Sequence, residues 1–274
     1  MTVPAVPALR VRAWELAAVP STVPVIWIEL PGLLVFSELG IVLVNWTATV
    51  LVTPRPLPKL DFSEGIPVAC STVVAVPSML SSIDGIDVLT EALEVRFLAN
   101  RDPQLRFVLL TDFLDAAEAT AATDDTLLAH AVERIEELNS RYAAERGDRF
   151  YLLHRPRQWN PGEGVWMGHE RKRGKLAALN ALLRQGDAAA FMRTVGDTAA
   201  LVGVRYVITL DSDTQLPRDA ARAFVATLAH PLNRPRFDPA LQRVVEGYGI
   251  LQPSVGTSLG TRRTSRFARM FGSE

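Results

Sequence analysis

The sequence predicts an α/β fold: a mostly parallel sheet flanked by helices, preceded by an N-terminal hydrophobic helix. Three observations predict it. Short runs rich in β-branched and aliphatic residues recur along the chain, and they alternate with segments of helical spacing. Alternation of this kind places helices on both faces of parallel strands. The strand-like runs also end abruptly on polar residues, which marks one edge of the sheet as the place for a ligand.

Taken in chain order, Leu30 to Val52 is almost wholly apolar, with Glu38 and Asn45 as interruptions, and Pro31 is tolerable in a first turn. Pro54-Arg55-Pro56-Leu57-Pro58-Lys59 ends this stretch. Ser71 to Val76 reads as a buried strand stopped by Pro77. Ser81 to Asn100 carries Ile86, Leu89, Leu93 and Phe97 at helical spacing. Leu105 to Thr111 is a second strand ending at Asp112, Asp124 to Glu145 a long helix, and Phe150 to His154 a third strand. Arg155 to Gly168 reads as a loop rich in Trp, Gly and Pro. Lys175 to Leu183 is a helix, Arg205 to Leu210 a fourth strand, Ala220 to Ala229 a helix, and Gly249 to Gln252 a further strand. Three segments result: 1–53 with a helix over about 30–52, a Pro-rich linker over 54–70, and an α/β domain over 71–274.

Composition narrows the function classes. Of 274 residues, 48% are hydrophobic and 22% charged, so most of the chain should fold. The formal net charge is -1, from 29 basic and 30 acidic residues, which gives no reason to expect a nucleic-acid partner. A single cysteine, Cys70, excludes an internal disulfide and a cysteine-based metal site. Pro4, Pro7, Arg10, Arg12 and Glu15 break up the start, which therefore does not read as a secretory signal. Leu30 to Val52 has the length of a membrane-spanning helix, the alternatives being a buried helix or one lying on a membrane. Arg55 and Lys59 directly after it favour the cytoplasm for the downstream residues, against Arg10 and Arg12 on the other side.

The chemistry should sit beyond the strand ends. Asp211-Ser212-Asp213 comes directly after Tyr206-Val207-Ile208-Thr209-Leu210. Two carboxylates one residue apart, just past a strand, suit a hard divalent cation bridging diphosphate oxygens. Arg171-Lys172-Arg173-Gly174-Lys175 opens a helix, where free N–H groups and the dipole favour phosphate. Lys175 is the natural diphosphate contact; the spacing is not that of a Walker loop. Asp112 ends a strand and is either a helix cap or an acceptor for a nucleobase or ribose. His169 and Glu170 lack a second His at metal-ligand spacing and read as loop residues. Trp159 and Trp166 either stack on a sugar, line a lid or pack the loop.

These residues, in this order, resemble the GT-A fold of processive family-2-like glycosyltransferases. Closer still is the glycosyltransferase domain of cyclic β-1,2-glucan synthases. The resemblance is carried by Leu57 to Ser63, Leu93 to Asn100, Leu109 to Phe113, Trp166 to Lys175, Asp211 to Asp219 and Gly247 to Pro253, and runs from about Pro54 to the end. It implies a bacterial inner-membrane enzyme with a cytoplasmic catalytic domain, UDP-glucose as donor, a glucan acceptor and Mg2+ or Mn2+. By motif, Pro77, Asp112, Arg173, Lys175, Asn180 and Asp211 would bind the donor, and Asp211 and Asp213 the metal. His169 stands where an aromatic residue is expected. An inverting transferase needs a carboxylate base, and the resemblance puts that base beyond Glu274. The chain then reads as an incomplete domain with no catalytic residue of its own. The alternative is a non-catalytic nucleotide-sugar-binding or membrane-scaffold module; a phosphate-metabolising enzyme would leave Lys175 to Asn180 unexplained.

Overall fold

Four parallel strands form the centre of the fold, in the order β3 (Phe150–His154), β2 (Leu105–Phe113), β1 (Thr72–Leu80) and β7 (Tyr206–Thr209). A short antiparallel strand, β6 (Arg193–Val195), lies along β3 at one edge. The computed structural model describes residues 26–51, 56–143 and 147–253. They fall in two units, Met1–Pro56 and Leu57–Glu274.

The sheet separates two cores because successive side chains point to opposite faces. Val74, Val76, Phe107, Leu109, Phe150 and Leu152 face one layer, with α2 (Ile83–Ala99), α3 (Asp124–Arg141) and α5 (Ala220–Ala229). Val73, Ala75, Val108, Leu110, Tyr151 and Leu153 face the other, against Leu179, Leu182 and Leu183 of α4 (Arg171–Gln185). The expected sheet with helices on both faces is what forms.

Several boundaries differ from the sequence reading, each for a physical reason. Pro77 does not stop β1, which runs on to Leu80. β7 pairs with β1 only as far as Ala75, so Pro77 lies where β1 is flanked on one side alone, beside Leu110 of β2. A residue without an N–H is tolerable there. β2 likewise continues through Asp112 to Phe113. The expected loop over 155–168 contains a hairpin, β4 (Gln158–Asn160) and β5 (Val165–Met167). Residues Gly249 to Gln252 form no strand; the last strands are instead the hairpin β8 (Arg236–Asp238) and β9 (Arg243–Glu246). Within the expected linker, Phe62 and Ile66 are buried and Leu60 N donates to Ala226 O, so residues from Leu57 on pack with the α/β unit.

The first unit contains α1 (Ile26–Leu51), a helix where one was expected. Its expected role as a membrane span is not supported: among the described residues no helix is long and apolar enough to cross a membrane. Leu39, Ile41, Val42, Leu43, Val44 and Trp46 are nonetheless all exposed on it. The last residues of the chain, 254–274, lie outside the described ones.

Candidate functional site

The carboxyl ends of β1 and β2 and the start of α4 enclose a cleft of about 400 Å³. Pro77, Ser78, Asp112, Lys172, Lys175 and Ser212 are among its lining residues. This is the position that an open parallel sheet offers a ligand. The cleft lies within the roughly 300–1,000 Å³ typical of small-molecule sites.

Asp112 is the best-determined group in it. It is 2% exposed. Arg155, directly after β3, holds it bidentately: Nε donates to Oδ1 and Nη2 to Oδ2, both at 2.9 Å. The Lys175 ammonium lies 3.3 Å from Oδ2. Two cations around one buried carboxylate offset the large cost of removing its charge from water. Arg155 also donates to the carbonyls of His169 and Arg171, which ties the turn before α4 to the same network. An ionised carboxylate has about four acceptor positions. Three are used among the described residues, which leaves one.

Lys175 is 4% exposed and also donates to Ser78 O at the end of β1. Burial pulls its ammonium below the usual lysine range, and the adjacent Asp112 opposes that shift. Among the described residues, Ser78 and Asp112 take two of its three donors.

Two glycines let α4 start this close to the strands. A Cβ on Gly168 would come 2.1 Å from Asp112 Oδ2, and one on Gly174 would come 2.0 Å from His169 O. Between them the chain turns sharply, with Glu170 and Arg171 both at positive φ (51° and 47°). Non-glycine residues rarely sit there, and such strain gathers near functional sites.

The Asp211-Ser212-Asp213 loop is held from below. Arg96, 3% exposed on α2, donates to the carbonyls of Ser212 (2.7 Å), Thr214 (2.8 and 3.0 Å) and Asp211 (3.4 Å). Asn100, one turn on, donates to Leu216 O and accepts from Ala221 N. Burial lowers the Arg96 pKa, and the Asp213 charge opposes that. The backbone is thereby fixed while both carboxylates stay exposed; Asp211 pairs with Lys172 across the mouth of the cleft.

Of the residues singled out from sequence, Pro77, Asp112 and Lys175 line the cleft together, and Asp211 reaches its rim through Lys172. Asp213 is exposed on the same loop. Arg173 is exposed and pairs with Glu170 rather than turning into the cleft, and Asn180 is exposed further along α4. Sequence reasoning missed Arg96, Arg155, Gly168 and Lys172 as individual contributors. Arg96 and Asn100 did carry a signal, since they continue the helical stripe of Leu89 and Leu93 with polar groups on a buried face.

Among the described residues no three His, Cys, Asp or Glu side chains cluster as metal ligands. Two exposed carboxylates suit a hard cation in charge and type, but Mg2+ and Mn2+ need about six oxygens. The rest would have to come from a ligand's phosphates and from water.

His154, at the end of β3, is fully buried, with Nδ1 2.8 Å from Thr111 Oγ1 and no hydrogen-bond partner for Nε2 among the described residues. Desolvation lowers its pKa to about 4, against the pull of Asp112 and Asp124.

Fold and cleft together define an α/β domain with a cleft at the carboxyl edge of a parallel sheet. In sequence the chain is similar to the cyclic beta-(1,2)-glucan synthase NdvB of Rhizobium meliloti (strain 1021), with 44% identity over 236 residues, or 86% of this chain. The chain spans only 8% of that protein's length. No protein-family profile matches it.

Proposed function

We propose that the unit from Leu57 onward is the donor-binding part of a glycosyltransferase for β-1,2-glucan synthesis, and that it takes UDP-glucose. The observation that carries this reading is the buried Asp112, held by Arg155 and Lys175 in a cleft at the sheet's carboxyl edge. The likeness to a glucan synthase supports it. In this reading the free acceptor position of Asp112 takes an N–H of the uracil base. Lys175 and Lys172 meet the diphosphate, and Pro77 and Ser78 form the wall beside it.

Asp211 and Asp213 would hold Mg2+ or Mn2+, which neutralises charge on the departing diphosphate. Lys172 pairs with Asp211, and with a cation bound there it would exchange that carboxylate for a phosphate. Arg96 keeps the loop's backbone still during that exchange. Attack by a glucan hydroxyl opposite the leaving group would invert the anomeric centre. Among the described residues we assign no base: the cleft carboxylates Asp112 and Asp115 are both ion-paired. That favours, as a second reading, a module that binds the donor without transferring it. The run of exposed apolar residues on α1 supports a contact with another protein or with a membrane.

Calorimetry with UDP-glucose and Mn2+ tests the proposal, with Asp213→Ala as control. Binding that depends on Mn2+ and falls at least tenfold in the variant is expected. A folded chain that binds no UDP-glucose would overturn both readings. Binding without transfer to a glucan acceptor would select the second.

A further inference from the structure

We propose that a second cavity, on the far side of Arg171 from the donor cleft, is a subsite for a β-linked glucosyl chain. The proposal rests on the donor reading above and extends it to the other substrate. The cavity is about 410 Å³ and lies along the β4–β5 hairpin and the turn before α4. Arg171 lines both spaces, so a ligand in one sits next to a ligand in the other.

The lining has the chemistry of a sugar site. A pyranose ring has an apolar C–H face and an edge of hydroxyls that both donate and accept. Trp159 offers the apolar surface: it is 50% exposed, with Trp166 behind it on the partner strand, ring centroids 5.9 Å apart and tilted by 58°. An exposed tryptophan braced in this way suits stacking. Around it, Gln158, Asn160, Glu163 and Glu170 supply planar donors and acceptors for hydroxyls.

Charge argues against a nucleotide here. Two carboxylates line the cavity, and its one arginine is already paired with Glu163 at 3.1 Å and with Asp115 at 2.9 Å. Glu170 is likewise paired, with Arg173 at 3.2 Å, so a diphosphate would find no unpaired cation among the described lining residues, whereas a neutral polyhydroxyl chain needs none. The wall is also firm. Ala116 and Trp166 exchange two backbone hydrogen bonds of 2.9 Å, which fasten the hairpin to the segment after β2. The turn is closed by Gly164 N to Asn160 O at 2.8 Å and Gly162 N to Asn160 Oδ1 at 3.0 Å. A pre-formed wall avoids the ordering cost that a mobile loop would impose on binding.

Saturation-transfer NMR with a short β-1,2-linked gluco-oligosaccharide tests this on the full chain, with UDP binding measured separately by calorimetry. The unsubstituted chain is expected to bind the oligosaccharide. Trp159→Ala is expected to weaken that binding about tenfold or more, as truncating an aromatic anchor does, and to leave UDP affinity within about twofold. Trp159→Phe should recover most of it. Gln158→Ala, at an exposed position that braces nothing in the turn, should weaken saccharide binding by a smaller factor with the fold intact. No oligosaccharide binding by a chain that binds UDP would overturn the subsite and leave the donor reading standing. Equal saccharide binding by Trp159→Ala and the unsubstituted chain would overturn it as well. Failure of UDP binding would remove the donor reading, and this inference with it.

Discussion

Two carboxylate sites, one inside the cleft and one on the loop at its rim, are built in opposite ways. Asp112 is buried, and its charge is balanced inside the protein by Arg155 and Lys175. Asp211 and Asp213 are exposed, and the protein fixes only their backbone, through Arg96. The first arrangement is complete without a ligand and leaves a single acceptor position. The second is open: its two carboxylates face solvent, Asp211 beside Lys172, and in the proposed reading a cation and phosphates would complete it. The contrast separates a pre-formed recognition point from a place that assembles around an incoming charge.

Substitutions should expose that difference, most strongly at the buried site. Arg155→Ala leaves Asp112 buried beside one cation, and the loss should be about 3–5 kcal/mol, read as a lower urea midpoint. His154 comes next. Its folded pKa lies near 4, below the ordinary histidine value of 6.5. The unfolded chain therefore takes up a proton that the folded one refuses. Stability should be full above about pH 6.5 and fall by about 3 kcal/mol toward pH 4. His154→Gln should flatten that part of a stability-versus-pH curve.

Arg96→Ala removes one donor set from three loop carbonyls. About 2 kcal/mol should be lost, with faster amide exchange over residues 211–216. At the exposed site, Lys172→Ala and Asp213→Ala should each change stability by less than about 0.5 kcal/mol. Equal stability losses from substituting the partners of Asp112 and those of Asp213 would abolish the distinction between the two sites.

Much of this architecture is written locally in the chain. The apolar runs at 72–76, 105–111 and 150–154 read as buried strands from the sequence alone, and the Asp211-Ser212-Asp213 loop is visible because it comes directly after the strand-like run 206–210. The features that escape a sequence reading are set by distant partners. Arg155 looks like any loop arginine until β2 brings Asp112 to it across 43 residues. Pro77 reads as a stop unless β7 is known to end two residues earlier. The β4–β5 strands and β6 are three residues each, too short for a period-two pattern to register. Arg173 and Asn180 belong to a motif, but helical geometry turns only some of its residues toward the cleft, and Lys175 is one of them.

The central claim is that the cleft recognises the base at a pre-formed site and the diphosphate at a site that needs a cation. Comparing uridine with UDP by calorimetry, each with and without Mn2+, tests it most directly. Uridine should bind weakly and equally in both conditions. UDP should gain at least tenfold from Mn2+, and Asp213→Ala should erase that gain while leaving uridine unaffected. Uridine binding that requires Mn2+, or UDP binding indifferent to both Mn2+ and Asp213, would contradict the account.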